Sequence, residues 1–408
     1  MHFVEGIIIA LEALWTNKLR TILTLLGNIV GVMSVIAVVS IIDGMNSYMR
    51  NEVASEGSGV FTVQQVNGLD ILSDFEKFLK SLHNPKITLY DYYHLRERMT
   101  LADYMDVSQS AAADVRFQRF YIKNIGIQGR GENYPLLGKW DLKDGRHISS
   151  QEVQHAQQVA VIGYDVADRM YPGQDPVGKD IKIAGVTHRI VGVLEKKSGV
   201  LGGNPNLTVI VPVTALQRLF GSHRSVTIYI KSADLDEARE CIDQARLIMR
   251  GLRHLGPKRE DNFAIITSDN LLSLWENISK GIFAALIGIV SISLVVGGIV
   301  IMNIMLVSVT ERTREIGIRK ALGATRGNIL WQFLVESITL SSIGGVLGIA
   351  LGFVAAALVA YFSPLPYAIK MWSIFVGLGV TFAVGVFFGA YPAAQAARLD
   401  PIEALRYE

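Results

Sequence analysis

The sequence predicts an α+β membrane protein: four transmembrane helices, with a large extracytoplasmic α+β domain inserted between the first and the second. Three observations predict it. The 408 residues are 50% hydrophobic and only 19% charged, against about 25% charged in an average soluble domain. The apolar residues gather into long uncharged runs at the two ends, while charge and proline concentrate in the middle. That middle stretch alternates strand-like and helix-like patterns. The formal net charge of +2 says less than its distribution; the lipid bilayer is an expected partner and nucleic acid is not.

The chain opens on HFVEGIIIALEALWTNKLR, in which Glu5, Glu12 and Thr16 fall on one helix face and Ile7, Ile8, Leu11, Leu14 and Trp15 cover the rest. That pattern predicts an amphipathic helix lying on the inner membrane surface. The first span follows at Thr21 to Ile42, behind Lys18 and Arg20. A signal peptide also places basic residues before an apolar run. This run exceeds the usual apolar core of about 7–15 residues, and no A-x-A-like cleavage site follows it. It is expected to be a retained anchor, so residues 1–43 form the amphipathic helix and first span.

Residues 44–275 are expected to form the extracytoplasmic domain. Its length of about 230 residues suffices for one or two globular units. Alternation predicts strands at Val60 to Val66, Val115 to Ile127, Gln158 to Ile162, Ile181 to Ile183, Arg189 to Val193, Thr208 to Pro212 and Val226 to Lys231. Helical periodicity predicts helices at Leu89 to Met99, Val213 to Leu219 and Leu235 to Leu252, the last behind a capping region at Ser232 to Asp234. YPGQDPVGKD, Tyr171 to Asp180, reads as a fixed loop because Pro172, Gly173, Pro176 and Gly178 restrict it. GIQGRG, Gly126 to Gly131, has a nucleotide loop's glycines but no helix behind it, and is expected to be a hairpin turn. GVLGGNPN, Gly199 to Asn206, reads as a mobile loop.

Catalytic chemistry is not expected in this domain. The eight His residues are scattered, with no H-E-x-x-H, no His pair on a helix face and no Ser/His/Asp arrangement. The single cysteine, Cys241, excludes an intrachain disulfide framework and a cysteine-based metal site. No catalytic residue and no metal ligand is therefore assigned.

Residues 276–408 hold the remaining spans, Gly281 to Thr310, Ser337 to Ile369 and Met371 to Ala397. Like the first, they contain no Asp, Glu, Lys, Arg or His. Ion-coupled carriers keep ionisable groups at membrane depth, so this absence argues against that class. The spans carry small residues at spacings of four instead: Gly27 and Gly31, then Gly344, Gly348 and Gly352, then Gly385 and Gly389. Such spacing puts each set on one helix face and permits close backbone approach. Glycine is common in membrane helices generally, but the triple is harder to dismiss than any single pair. These helices are expected to pack tightly, not to line a polar channel.

Between the second and third spans lies ERTREIGIRKALGATRGNIL, Glu311 to Leu330. Glu315 and Arg319 form an i,i+4 pair in the favourable order. Gly323 is placed to end a helix, and Thr325 to cap the next. A short helix over Glu311 to Leu322 is predicted, with Ile316, Ile318 and Leu322 as apolar contacts in a charged frame. A bare topology signal would explain the arginines. It would not explain the two acids, the isoleucines or the glycine stop. Lys and Arg cluster at Lys18 and Arg20, in this loop, and at Arg398 and Arg406, whereas the connection FSPLPYAIK offers only Lys370. Both termini and the charged loop are therefore expected in the cytoplasm, and Asp43 to about Trp275 outside.

The segment ERTREIGIRKALGATRGNI, the tail YPAAQAARLDPIEALRYE and the stretch QQVAVIGYDVADRMYPGQDPVGKDIKIAGVTHRIVGVL together resemble the permease subunits of ABC transporters of the FtsX-like, macrolide-exporter (MacB) family, over essentially the whole chain. The resemblance implies a protein of the bacterial cytoplasmic (inner) membrane. It implies that two permeases, copies or paralogues, pair above a separate ATPase that binds ATP and Mg. The coupling helix that meets this ATPase would carry Glu311, Arg312, Glu315, Ile316, Arg319, Lys320 and Leu322. Its push would pass along stiff spans to the outer domain, a mechanotransmission that drives efflux of peptides, drugs or other amphiphiles with a periplasmic adaptor. The outer domain would have two lobes, one inserted around residues 90 to 215. Release of lipoproteins, or switching of an outside enzyme such as a cell-wall hydrolase, are the alternative uses of such machinery. Macrolide exporters often carry their ATPase on the same chain. No G-x-x-x-x-G-K-[ST] occurs here, so the ATPase is expected on another polypeptide, with no cofactor in this chain.

Overall fold

The computed structural model describes residues 18–55, 59–197, 204–234, 236–363 and 365–406. The amphipathic segment with Glu5, Glu12 and Trp15 lies outside the described residues, as do positions 199–203 of the glycine loop. The chain divides into two compact units, one formed by Met1–Tyr48 with Ile278–Glu408, the other by Met49–Asn277.

The elements begin with α1 (Lys18–Ser55), β1 (Val60–Gln64), α2 (Asp70–Ser73), α3 (Phe75–Ser81), α4 (Leu89–Arg98), β2 (Ala102–Phe117) and β3 (Phe120–Arg130). They continue with β4 (Leu142–Gly145), α5 (Ser150–Gln154), β5 (Val159–Ile162), α6 (Tyr164–Met170), β6 (Asp180–Ile183), β7 (Val186–Leu194), β8 (Thr208–Pro212) and α7 (Val213–Phe220). Then come β9 (Thr227–Ser232), α8 (Ala238–Leu252), β10 (Ala264–Thr267), α9 (Ser268–Glu311), α10 (Thr313–Ala321), α11 (Arg326–Phe362), α12 (Met371–Arg398) and α13 (Pro401–Arg406).

The α+β unit is built on one ten-stranded sheet in the order β10-β1-β9-β2-β3-β8-β5-β7-β4, with β6 pairing β2 and β7. Two apolar cores lie along it. The first gathers Phe61 and Val63 of β1, Leu95 of α4, Ile228 and Ile230 of β9, and Cys241, Ala245 and Met249 of α8. The second gathers Val115 of β2, Ile127 of β3, Met170 of α6, Ile181, Ile190 and Leu216. Its members run from Ala111 to Leu216, a stretch that also sends Tyr134, Val161, Leu194 and Ile210 into the first core, so the two cores interleave along the chain. The 16-residue strand β2 serves both cores. Helix α4 starts on a capping box in which Thr88 and Asp91 bond each other's backbone.

Two expectations for this unit are corrected. Val115 to Ile127 is not one strand: the chain reverses after Phe117, with Gln118 at φ 50°, and β2 and β3 form an antiparallel hairpin. The alternation slips at Gln118–Arg119, two consecutive polar residues that form the turn and across which Phe117 pairs with Phe120. Nor is Gly126 to Gly131 a turn. Gly126 and Gly129 lie within β3, which pairs parallel to β8. A Cβ on Gly129 would come within 2.9 Å of the Leu216 side chain, so glycine there admits α7 onto the sheet.

Among the described residues, four helices are long and apolar enough to cross a membrane: Leu25–Arg50, Ser268–Glu311, Arg326–Phe362 and Met371–Arg398. The α+β domain is inserted between the first and second. The third helix begins at Arg326, ahead of the expected Ser337, because Thr325 caps it by accepting from the Asn328 amide. It ends at Phe362, short of the expected Ile369, where Ser363 takes an extended conformation ahead of Pro364.

Candidate functional site

The turn between α9 and α11 is anchored from several directions. Helix α9 runs through Glu311, Arg312 is the N-cap residue of α10, and α10 covers Thr313–Ala321. The expected single helix over Glu311 to Leu322 is thereby shortened: Glu311 belongs to the long preceding helix, and Leu322 is the C-cap residue. The hydroxyl of Thr313 donates to the Val309 and Thr310 carbonyls, at 2.9 and 3.0 Å. At the other end Gly323 has φ 99°. Its amide donates to Lys320, and the Ala324 amide to Arg319, both at 3.0 Å. This is the Schellman pattern, in which a left-handed glycine satisfies the last helical carbonyls.

The side chains named for coupling divide into two groups. Ile316 is buried in an apolar core with Val309, Ile329, Phe333 and Ala396. The Arg312 guanidinium reaches the buried Glu336 carboxylate of α11 at 3.3 Å. Lys320 donates through Nζ to the carbonyls of Ala397 and Leu399, each at 2.7 Å, and so holds the end of α12. Its burial, with Arg326 nearby, lowers the Lys320 pKa. Arg319 pairs with Glu315 and donates to Gln332 Oε1 at 2.7 Å. The outward group consists of Glu311, Glu315 and Leu322, the last 84% exposed, and Arg314 and Ile318, not among the named residues, are exposed beside them. The charged helix therefore has an inner face that locks it to α11 and α12 and an outer face that is charged with two apolar residues.

The glycines lie where helices meet. A Cβ on Gly27 would approach Gly297 Cα to 2.8 Å, and one on Gly31 would approach the Leu294 side chain to 3.2 Å. The triple on α11 faces α1: Gly344 against Asn28, Gly348 against Ile29 and Val32, and Gly352 against Met33 and Ile36. Gly385 and Gly389 of α12 face Ile338 and Ser337 of α11. Close backbone approach of this kind supplies van der Waals contact where lipid offers no hydrophobic drive between helices.

Two features escaped the sequence reading. One is a polar seam inside the bundle: Asn28 donates to the Ser341 carbonyl at 2.7 Å, Ser341 Oγ to the Thr381 carbonyl at 2.7 Å, and Ser337 Oγ to the Gly385 carbonyl at 2.8 Å. A search for ionisable groups passes over these uncharged residues; Asn in an apolar run was the available signal. The other is Glu336, the last acid before a long uncharged run. A carboxylate there needs a cation, and Arg312 supplies it. Among the described residues no group of three or more His, Cys, Asp or Glu could hold a metal ion.

With this geometry in hand, comparison with known proteins is direct. Residues 21–246 match the family described as MacB-like periplasmic core domain, and residues 287–401 match the FtsX-like permease C-terminal family. The chain is 35% identical over 407 residues to the macrolide export ATP-binding/permease protein MacB of Bdellovibrio bacteriovorus, a match covering 97% of this chain and 61% of that protein. It is 32% identical over 415 residues to the uncharacterized ABC transporter permease YknZ of Bacillus subtilis, covering 100% of both. It is 34% identical over 416 residues to the pyoverdine export ATP-binding/permease protein PvdT of Pseudomonas syringae pv. syringae, covering 99% of this chain and 59% of that one. It therefore spans all of one relative but only about three fifths of the two whose names include ATP binding. The chain is a multi-pass membrane protein, and it belongs to the family of ABC transporter permeases that join a MacB-like periplasmic core domain to an FtsX-like permease C-terminal region.

Proposed function

We propose that this chain is the permease subunit of an efflux transporter, in which ATP hydrolysis on a separate subunit moves the inserted domain outside the membrane. The observation that carries the reading is the division of the α10 turn. Lys320, Arg312 and Ile316 fasten it to α11 and α12, so a push on its outer face reaches the spans instead of bending the turn. Leu322 and Ile318, with Arg314 and Glu315, form the docking face for the ATPase, which binds the ATP and Mg. The turn and both termini face the cytoplasm, as the distribution of Lys and Arg indicates. The spans transmit movement without conducting cargo, and the glycine contacts that bring their backbones together suit that task. Two permeases pair in the assembly, and a periplasmic adaptor meets the outer domain.

Relatives named for macrolide and pyoverdine export support efflux of peptides, drugs or other amphiphiles. The test is reconstitution of the chain with its ATPase in vesicles. Export that requires both subunits and ATP is expected, and Leu322→Glu should abolish it while leaving insertion intact. Transport by the permease alone, or full coupling in the variant, would overturn the reading. Capture of acylated lipoproteins or of a cell-wall hydrolase would replace efflux by one of those functions.

A further inference from the structure

The α+β unit holds a small cavity for which the transport reading has no use. It has a volume of about 140 Å³, and Arg130, Lys139, Trp140, Lys197 and Tyr229 are among the residues that line it. Three of these are cations, and among the described residues no carboxylate joins the lining. Cavities for drug-sized ligands run to about 300–1,000 Å³, so this one suits a single ring with its substituent.

Arg130 is the centre of the site. The side chain is nearly buried, 6% exposed, with its guanidinium 4.5 Å from the Tyr229 ring and 5.3 Å from the Trp140 ring. Lys197 Nζ lies 4.2 Å from the Trp140 ring. The rings hold the guanidinium by cation–π attraction without neutralising it. Strand register explains the assembly: Asp106 pairs with Tyr229 and Ser108 with Arg130, so Asp106, Arg130 and Tyr229 share one face of the sheet.

Asp106 is the only anion against Arg130 among the described pairs, and it is a poor partner. The nearest approach is 3.8 Å, and the buried carboxylate has no well-formed hydrogen bond, only the nearby Val107 and Asn133 amides. Gly131 has no room for a side chain against that carboxylate. The other polar contact of Arg130 is to Gln128 Oε1 at 3.4 Å. A guanidinium has five donors in a fixed fork, so this one retains donors for an incoming anion.

We propose that the cavity binds a small aromatic carboxylate, whose carboxylate pairs with Arg130 and whose ring stacks on Trp140. A ring-free anion would leave the aromatic walls unused, and a neutral ring would leave Arg130 uncompensated. The site also responds to pH. Burial pushes Asp106 up to about 7 against the opposing pull of Arg130, and Glu132 adds to the rise. The other groups facing it are Tyr92 of α4, beside which Arg96 pairs with Glu132, and Tyr134, which is bonded to His147. Burial raises both tyrosines, so they stay neutral across the relevant range, and burial lowers His147. As pH falls through 7, Asp106 takes a proton and stops competing for Arg130, and the ligand binds more tightly.

The test uses the full chain in nanodiscs without ATPase, so its outcome is independent of the transport reading. Benzoate binding is measured by calorimetry at pH 6 and pH 8 against empty nanodiscs, with benzamide as the neutral ring and inorganic phosphate as the ring-free anion. Benzoate should bind about tenfold more tightly than either control, a difference of about 1.4 kcal/mol, and several-fold more tightly at pH 6 than at pH 8. Arg130→Gln should remove binding. Because that change also breaks a buried pair, Trp140→Ala provides a second variant, expected to weaken binding about tenfold with unchanged amide protection. Asp106→Asn should bind at pH 8 as tightly as at pH 6. Equal binding of benzamide or phosphate, undiminished binding in both site variants, or a persistent pH preference in Asp106→Asn would overturn the proposal.

Discussion

The Arg312 guanidinium lies 3.3 Å from the Glu336 carboxylate, tying the break between α9 and α10 to the third long helix. Glu336 is 3% exposed and cannot be left as a lone charge. Arg312→Ala should therefore cost about 2 kcal/mol, below the 3–5 kcal/mol typical of a fully buried pair because the arginine is partly solvated. Glu336→Gln should cost less, since it removes the buried charge itself. Thermal unfolding in detergent, run as a double-mutant cycle, should give a coupling of about 1–2 kcal/mol. Additive effects would show that the pair contributes nothing.

The sequence made this end of the molecule legible only in part. The charged turn, its glycine stop and the cap at Thr325 follow local rules, so they can be read from consecutive residues. Which charges face inward does not follow from local rules. Arg312 and Lys320 resemble Arg314 until the chain positions of Glu336 and Ala397 in space are known. The same division holds in the α+β unit. Thr208–Pro212, a β-branched run ending in Pro212, is readable as a strand, whereas β4 and β10 are short strands whose pairing is non-local. The cavity around Arg130 was invisible, because its walls come from residues as far apart as Thr62 and Leu271.

Glycine at the helix contacts is a packing requirement. A Cβ on Gly348 would lie 2.9 Å from the Ile29 carbonyl and the Val32 side chain, while one on Gly379 would meet nothing within 4 Å. Gly348→Ala should destabilise by about 1–3 kcal/mol through overpacking, and Gly379→Ala should be neutral or slightly stabilising through its helix propensity. Melting midpoints in the same detergent decide it. Equal effects at the two positions would remove the close-approach argument for α11 against α1.

The Arg146–Glu152 pair makes a stability contribution with a defined pH window. Glu152 accepts from Arg146 at 2.7 Å and from the Ser149 amide at 2.8 Å, closing the box at the start of α5. These bonds, Arg146 first, hold its folded pKa at about 2, below the ordinary glutamate value of about 4.3. A depressed carboxyl pKa stabilises the fold above the unfolded value and loses that effect as pH falls through the folded one. The shift corresponds to about 3 kcal/mol; because the Arg146 side chain is 57% exposed, screening leaves about 2 kcal/mol, which should disappear between pH 4.5 and 2. Amide exchange over Ser149 to Gln154 in the full chain should show protection falling across that range, and Glu152→Gln should flatten the profile.

Lys320 and Leu322 stand two residues apart and should fail in opposite ways. Lys320 satisfies the Ala397 and Leu399 carbonyls at the end of α12, so Lys320→Met leaves those acceptors without their charged donor. A loss of about 1–3 kcal/mol is expected, read as a lower melting midpoint and faster amide exchange near Ala397. Leu322 is 84% exposed and supports nothing inside the fold. Leu322→Ala should leave the midpoint within about 0.5 kcal/mol of the parent. If the outer face of α10 is where the ATPase docks, the same change should weaken capture of the ATPase about tenfold, because a projecting apolar residue at an interface centre carries a large share of its energy. The diagnostic result is the crossing: Lys320→Met lowers stability before it lowers capture, and Leu322→Ala lowers capture alone. Parallel losses in both variants would mean that the two faces of the turn do not have separate tasks.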